Sequence, residues 1–326
     1  MTRPGEFELI EHYFRPLAAD PGALSLTDDA AVYNPPRGEE VVLKADLIAE
    51  GIHFFPDDPP RSIAAKALRV NLSDLAAKGA TPVGYLLSLA LKPDWNEDWI
   101  ASFAGGLAAD QETYGVTLFG GDTSRASGGT VVSVAAIGRA PVGRIVRRNG
   151  ARPGDAIFVS GTIGDAALGL RIRLGTLDAM PAGKAADHLL DRYLHPQPRV
   201  ALAPVIADFA TASLDISDGL VGDLAHICKQ SGAGAEIAAA AVPLSAGAKA
   251  IVAADPSALA TVMTGGDDYE ILATVPEARA EAFATMAAEA GVPVTRIGRI
   301  VEGASPPVVL GPEGPIRFDH ASHTHF

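Results

Sequence analysis

The chain has 326 residues, 48% of them hydrophobic, with 34 Gly and 24 Pro, a size that suits two domains with separate cores. Its formal net charge is −13, from 39 acidic against 26 basic side chains, and no basic run of useful length offers a face to a nucleic-acid backbone. Charged residues interrupt every apolar run before membrane-spanning length, no signal peptide is recognisable, and the single Cys228 excludes an internal disulfide or a cysteine-based zinc site, so a reducing cytoplasm is the expected location.

In chain order, residues 5–19 are expected to form a short amphipathic helix with Phe7, Ile10 and Phe14 along one face. The Asp28–Asp29 pair then leads into an apolar stretch broken by Pro35–Pro36, and residues 41–48 read as a strand. Ser62 is placed to cap a helix that runs to Lys78 and stops at Gly79, where a left-handed cap is favoured. A buried strand at 83–91 follows, then a helix at 96–114, a short strand at 116–119 ending in Gly120-Gly121-Asp122, and a strand at 131–137. Pro141, Gly143, Gly150, Pro153 and Gly154 punctuate the next segment and set a domain boundary near residue 145, dividing 1–145 from 146–326.

Beyond that boundary the pattern gives a strand at 156–160, a glycine-rich turn and helix over 161–173, and a helical region past 183. A strand and helix at 212–230, strands near 235 and 270, a helix at 277–290 and a strand at 294–300 complete it. Strands and helices alternate throughout, so the fold class is mixed α/β (α+β) in two domains.

Aspartates recur at strand ends and beside glycines: Asp28–Asp29, Asp46, Asp74, Asp122, Asp215-Ile216-Ser217-Asp218-Gly219 and Gly265-Gly266-Asp267-Asp268. A short carboxylate holds its charge close to a fixed backbone, and a neighbouring glycine lets a phosphate or metal approach the main chain. Magnesium takes oxygen ligands and usually spans carboxylates and substrate phosphates, which is how an acidic protein can grip an anion. Any one Asp–Gly turn is more simply a turn. The segment around Asp215 and Asp218 is different, because three oxygen-bearing side chains beside two apolar residues are costly without partners. On the helix at 62–78, Asn71 and Asp74 share a face, so Asp74 either faces a metal or pairs with Lys78. The run from Phe158 through Gly161, Gly164 and Asp165 is a strand, a glycine turn and a helix start, an arrangement that suits an anion or merely a tight turn. No Walker motif is present, since Gly183-Lys184-Ala185 lacks both the upstream glycine and the following hydroxyl. Cys228 reads as a buried structural thiol.

Taken in order, these segments resemble the thiamine-monophosphate kinase family, in the superfamily of aminoimidazole ribonucleotide synthetase and selenophosphate synthetase. The resemblance covers nearly the whole chain, from Gly5-Glu6-Phe7 through Glu50-Gly51-Ile52-His53-Phe54, residues 71–80, Gly120–Arg125 and Arg148–Asp155 to Asp215–Gly219, Gly265–Glu270 and the terminal His325-Phe326. It implies ATP-dependent phosphorylation of thiamine phosphate with several Mg²⁺ ions, no general base, and a homodimer formed through the N-terminal domain. By matching position, Asp29, Asp46, Asp74, Asp122, Asp215 and Asp218 are expected to hold the metals. Gly121, Arg148 and Ser217 are expected at ATP, and His53, Asp267 and His323 at thiamine phosphate.

Four departures stand out. Lys44-Ala45 replaces two hydroxyl residues common in such kinases, which argues against metal ligation there and offers Lys44 to a phosphate oxygen. Thr27 replaces a glycine, His323 a Tyr or Trp, and Asp267 a Glu. Two rival readings remain: another ATP-dependent synthetase of the superfamily, or a non-catalytic thiamine-phosphate sensor. A selenophosphate synthetase is disfavoured because no cysteine lies near the N-terminus, and a hydrogenase-maturation relative because the sequence ends in Phe326.

Overall fold

The computed structural model describes residues 4–177, 181–320 and 322. The chain falls into two compact units: residues up to Leu75 with Ala80–Gly143, and Ala76–Gly79 with Arg144 onward. Among the described residues, no helix is long and apolar enough to cross a membrane.

The N-terminal segment differs from the expected continuous helix. It is a single turn, α1 (Glu6–Leu9), then a π-helical turn at Ile10–Phe14 and a 3₁₀ turn at Arg15–Leu17. Phe7 is 84% exposed while Phe14 is buried, so the two do not share a packed face. Pro16 lacks an N–H and ends regular helix here.

The first unit is built on β1 (Glu39–Ala49), α2 (Pro60–Ala77), β2 (Thr81–Leu91), α3 (Glu97–Tyr114), β3 (Thr117–Arg125) and β4 (Val131–Pro141). The sheet order is β1-β4-β2-β3, with β2 and β3 parallel and the other pairs antiparallel. Helix α2 begins at Pro60, two residues before the expected cap Ser62, because proline suits the first helical turn. It ends before Gly79, whose φ of 72° only glycine adopts without strain. Nearly every side of α2 is buried, and Arg69 donates twice to the buried Asp110 of α3, at 2.8 and 2.7 Å. Asn96 caps α3 by accepting the N–H of Trp99. Strand β3 runs on to Arg125, past the glycine pair expected to end it, because Gly120–Arg125 pair with Leu86–Leu91 of β2.

Alternation along β1 and β4 turns Val42, Ile48, Val132, Val134 and Ala136 inward. The opposite face of the sheet is also apolar yet open: Val41, Leu43, Leu47 and Leu86 are all at least 40% exposed.

The second unit contains β5 (Ala156–Ser160), α4 (Asp165–Leu174), α5 (Lys184–Leu194), α6 (Ala203–Phe209), β6 (Ala212–Asp215) and α7 (Leu220–Ser231). After these come β7 (Gly234–Ala238), α8 (Ala246–Ala254), α9 (Ala258–Thr264), β8 (Ile271–Val275), α10 (Ala280–Glu289), β9 (Val294–Val301), β10 (Val308–Gly311) and β11 (Gly314–Ile316). The sheet order is β11-β10-β7-β9-β5-β8-β6. Both faces are covered. Ile157, Val159 and Leu214 pack with Leu168, Leu189, Leu224, Ile251 and Val262 on one side, while Phe158, Ile271 and Ala273 meet Ile206 and Phe283 on the other. A strand buried on both faces reads as a continuous apolar run, as β5 and β8 do. Cys228 lies in the first of these cores, as a buried thiol.

Candidate functional site

In the first unit, Lys44 and Asp46 occupy the inward-turned positions of β1, between Val42 and Ile48. Charged groups so placed require partners. The Lys44 ammonium lies 3.0 Å from Asp46 Oδ1 and 2.7 Å from Asp74 Oδ2 on α2. Burial works against the charge on Lys44, but Asp74 and Asp46 more than offset it, and the ammonium pKa rises above its usual value. Burial likewise raises Asp46, against the pull of Lys44. Asp74 therefore pairs with Lys44 rather than Lys78, whose ammonium donates to the carbonyl of Ser213. Lys44 itself meets these two carboxylates.

Asn71 is fully buried and ties two elements together. Its Oδ1 accepts the Asp46 N–H at 2.9 Å and its Nδ2 donates to the Ala67 carbonyl at 3.0 Å, fixing β1 to α2 at the acidic position. Beyond β1, His53 is held by its ring and its backbone: Nδ1 accepts the Ala49 N–H at 3.1 Å, and the buried Lys66 donates to its carbonyl at 3.0 Å.

Asp29 and Asp122 lie elsewhere in this unit. They line a cleft of about 680 Å³, with Asp28, Gly120, Gly121 and Ser88 at the acidic part and Ile10, Phe14, Leu26, Leu118 and Phe119 among its apolar walls. Volume and lining suit a small molecule with one apolar end and one end that reaches the carboxylates through a bound cation. The segment carrying Asp28–Asp29 is closed by a bond from the Val32 N–H to the Gly22 carbonyl, and Leu24, Ser25 and Leu26 have φ of 49°, 56° and 56°. The left-handed residues thus precede Thr27, whose φ of −108° requires no glycine. At Gly121 a Cβ would lie 1.8 Å from the Leu87 carbonyl, so strand pairing alone already demands glycine there. The register sets Asp122 level with Ser88, Ser133 and Leu47, three strands from β1. At about 4.8 Å per strand this is roughly 14 Å. One magnesium ion, with bonds of about 2.1 Å, cannot touch both Asp46 and Asp122.

In the second unit, the two aspartate segments lie side by side. The N–H groups of Asp267 and Tyr269 donate to the carbonyls of Ser217 and Ile216, and the Ile216 N–H returns to Glu270. Gly266 is required, since a Cβ would lie 2.3 Å from the Ser217 carbonyl. This brings Asp215, Ser217, Asp218 and Asp267 together. Asp267 and Tyr269 hold left-handed φ of 74° and 51°.

Three acidic residues hold this arrangement: Asp223, which the sequence does not single out, and Asp268 and Glu270, to which it assigns no role. Asp223 accepts the N–H groups of Ser217, Asp218 and Gly219 at 3.0, 3.0 and 3.1 Å. Burial nevertheless pushes its carboxyl up to about 7. Its position on the helix directly after the Asp–Gly turn was the available signal. Asp218, Asp223 and His226 place ligand atoms within 4.8 Å of one another. Asp268 accepts the N–H groups of Gly164 and Ala166 at 2.6 and 3.3 Å, and burial raises it well above the usual carboxylate range. Those amides, read from sequence as an anion site, are thus taken by a carboxylate of the chain itself. Glu270 accepts Arg199 Nε at 2.7 Å and the Ser160 hydroxyl at 2.5 Å.

Arg148 is exposed, and its carbonyl accepts the Ser231 hydroxyl at the last residue of α7. Eleven helical rises, roughly 17 Å, separate that end from the Asp218 turn, so the second unit does not bring Arg148 to Ser217. His323 lies outside the described residues.

The carboxylates fit magnesium by donor chemistry, since all are hard oxygen ligands. Asp29 and Asp122 at the cleft, and Asp218 beside Asp223, have the open setting such an ion needs.

Two family models match: AIR synthase related protein, N-terminal domain, over residues 27–140, and the C-terminal domain of the same over 152–311. A thiamine-monophosphate kinase of Caulobacter vibrioides is 43% identical over 304 residues, covering 92% of this chain and 85% of that protein. The crystal structure of a thiamine-monophosphate kinase from Stenotrophomonas maltophilia superposes with a TM-score of 0.82 at 38% identity, covering 90% of this chain and 93% of the other. AaThiL complexed with AMPPCP and TMP superposes at 0.79 with 32% identity, covering 100% and 99%. The chain is an enzyme of the thiamine-monophosphate kinase family, with the two-domain AIR synthase fold.

Proposed function

We propose that this protein transfers the terminal phosphoryl group of ATP directly to thiamine phosphate, giving thiamine diphosphate and ADP. The observation that carries the reading is the cleft of the first unit, apolar along one wall and acidic beside Gly120-Gly121, at full-length similarity to a kinase complexed with AMPPCP and TMP. The apolar wall suits a base and the acidic part a metal-bound polyphosphate. Asp29 and Asp122 there, Asp46 and Asp74 through the oxygens not bonded to Lys44, and Asp215 and Asp218 in the second unit, are the residues that would hold Mg²⁺. When bound, Mg²⁺ would offset the repulsion between two polyanions.

The acceptor oxygen is already anionic at neutral pH, so no side chain needs to remove a proton. In an in-line transfer the acceptor oxygen forms a bond to the γ-phosphorus as the bond to the ADP oxygen breaks. The task of the chain is alignment. The turn at Ser217–Gly219, held from behind by Asp223, keeps Asp218 in place while charge moves. Ser217 contributes its hydroxyl, because its amide is already bonded to Asp223. His53 and Asp267 are assigned to thiamine phosphate, Gly121 and Arg148 to ATP, and His323 to the heterocycle.

A homodimer belongs to the same reading. The open apolar face around Leu43, Leu47 and Leu86 is buried if a second copy's sheet packs on it. Light scattering at micromolar concentration is expected to give twice the chain mass, and Leu43→Asp to give the chain mass. The cytoplasm, with its supply of ATP, is the proposed location. Transfer of label from γ-labelled ATP to thiamine phosphate tests the activity. Labelled diphosphate is the expected product, and its absence with release of labelled inorganic phosphate would refute the proposal.

A further inference from the structure

Lys44 is the one basic side chain that β1 turns toward α2, and it lands between two acids expected to bind metal. Its ammonium is within hydrogen-bond distance of one oxygen of Asp46 and one of Asp74. The three groups come from two elements that are themselves pinned together, since Asn71 of α2 accepts the Asp46 N–H. The contact is therefore built into the packing of β1 on α2. The side chains are half-buried, with exposures of 29% for Lys44, 37% for Asp46 and 16% for Asp74.

An ammonium placed there does what a bridging divalent ion would do: it neutralises two facing carboxylates and holds them at a fixed spacing. It also opposes a second cation at the same place, because like charges a few ångströms apart repel, the more so where water is partly excluded. Desolvating a divalent ion to bind beside a resident positive charge removes the reason for it to bind. Each carboxylate keeps its second oxygen, so the pair can face one ion on the side away from Lys44.

We propose that the Lys44 ammonium permanently takes the place of one divalent ion between Asp46 and Asp74, so that this chain completes its metal–nucleotide site with one ion fewer than its aspartates alone would hold. The inference rests on the kinase reading given above. Unlike a bound ion, the charge of Lys44 stays in place at every magnesium concentration and cannot be removed by a chelator.

The test counts Mn²⁺ bound per chain, by the electron paramagnetic resonance signal of the free ion, with AMPPCP present. Lys44→Met keeps the length of the side chain without its charge, Lys44→Thr frees more room, and Lys44→Arg keeps the charge. The Met and Thr variants are expected to bind one Mn²⁺ more per chain than the wild type, and the Arg variant the same number. Equal, non-zero counts in wild type and in the Met and Thr variants would overturn the Lys44 assignment alone. No nucleotide-dependent Mn²⁺ binding in any of the proteins would overturn the kinase reading itself. Should the uncharged variants fail to fold, wild-type crystals soaked in Mn²⁺ and AMPPCP decide the matter. An anomalous peak at bonding distance from both Asp46 Oδ1 and Asp74 Oδ2 refutes the proposal, and a peak bonded only to their other oxygens supports it.

Discussion

In the first unit two acids from different elements, Asp46 and Asp74, are held by a side-chain ammonium, whereas in the second Asp223 and Asp268 are held by main-chain N–H groups. The difference separates two jobs. An ammonium supplies a full charge on a flexible stem and sets how many cations a site accepts. Several N–H groups converging on one carboxylate supply only partial charges, but they fix the path of a turn and with it the direction of its neighbours. Asp223 sits behind the turn and Asp218 within it, so one acid shapes the loop and the other is presented by it.

The largest effect follows from removing the presented charge. Asp218→Asn keeps the shape of the side chain and leaves Asp223 with all three amide bonds. Phosphoryl transfer is expected to fall by roughly 10²–10³-fold, the range for losing one preorganised electrostatic group, with an unchanged circular dichroism spectrum. Activity close to wild type at saturating Mg²⁺ would move the metal site away from this turn.

Removing the shaping acid has a different signature. Asp223→Ala leaves three enclosed N–H groups without their acceptor, and a single orphaned donor costs about 1–3 kcal/mol. The urea midpoint is expected to drop by at least that equivalent, with loss of activity secondary to the loosened turn. Asn71→Ala, which removes the neutral acceptor of a single N–H, that of Asp46 in the first unit, is expected to cost about 1–3 kcal/mol, less than the loss of three. If the two substitutions cost the same, the convergence of amides on Asp223 has no special weight.

The pattern of alternating strands and helices was legible in the sequence, because strands buried on both faces and helices with caps announce themselves locally. Asn96 and Gly79 mark helix ends as their chemistry requires. The short helices α6, α8 and α9 were missed, being alanine-rich segments of seven to nine residues whose helicity depends on tertiary packing. At the site, the presented aspartates were legible and their supports were not. Period two along β1 sets Lys44 and Asp46 on the same face as Val42, yet only the position of Asp74 on α2 reveals what the ammonium meets. Asp268, next to Asp267, read as one more member of an acidic loop, and its turn toward Gly164 depends on contacts more than a hundred residues apart in sequence.

Asp268 gives the comparison a pH dependence. Its carboxyl is raised well above the ordinary carboxylate range by burial, so the folded chain keeps a proton that the unfolded chain loses near pH 4. A raised folded pKa means that the folded state binds more protons in that window. The contribution to stability is therefore complete below the unfolded value and is lost as pH rises through the folded one. Asp268→Asn has no such titration. The difference in urea midpoint, wild type minus variant, is expected to shrink steadily as pH is raised from about 4. Parallel curves would show that the two amides, not burial, dictate the charge state.

The smallest effect concerns His53, which the first unit holds as firmly as the second holds its turn. The Ala49 N–H donates to Nδ1 at 3.1 Å, so in the neutral ring Nδ1 is the acceptor and Nε2 carries the proton. Lys66, buried beneath it, fixes the carbonyl of the same residue. A ring so oriented turns its N–H edge away from the Ala49 amide. Losing a single hydrogen bond to a charged group costs about 1.5–3 kcal/mol at most, and less where water can take its place. His53→Ala is therefore expected to raise KM for thiamine phosphate by roughly tenfold, while KM for ATP stays near wild type, because binding of one substrate only has been weakened. His53→Gln, which can present a side-chain N–H at a similar distance, is expected to recover part of the loss. If His53→Ala weakens ATP and spares thiamine phosphate, the acceptor does not bind at the end of β1, and the first unit serves the nucleotide alone.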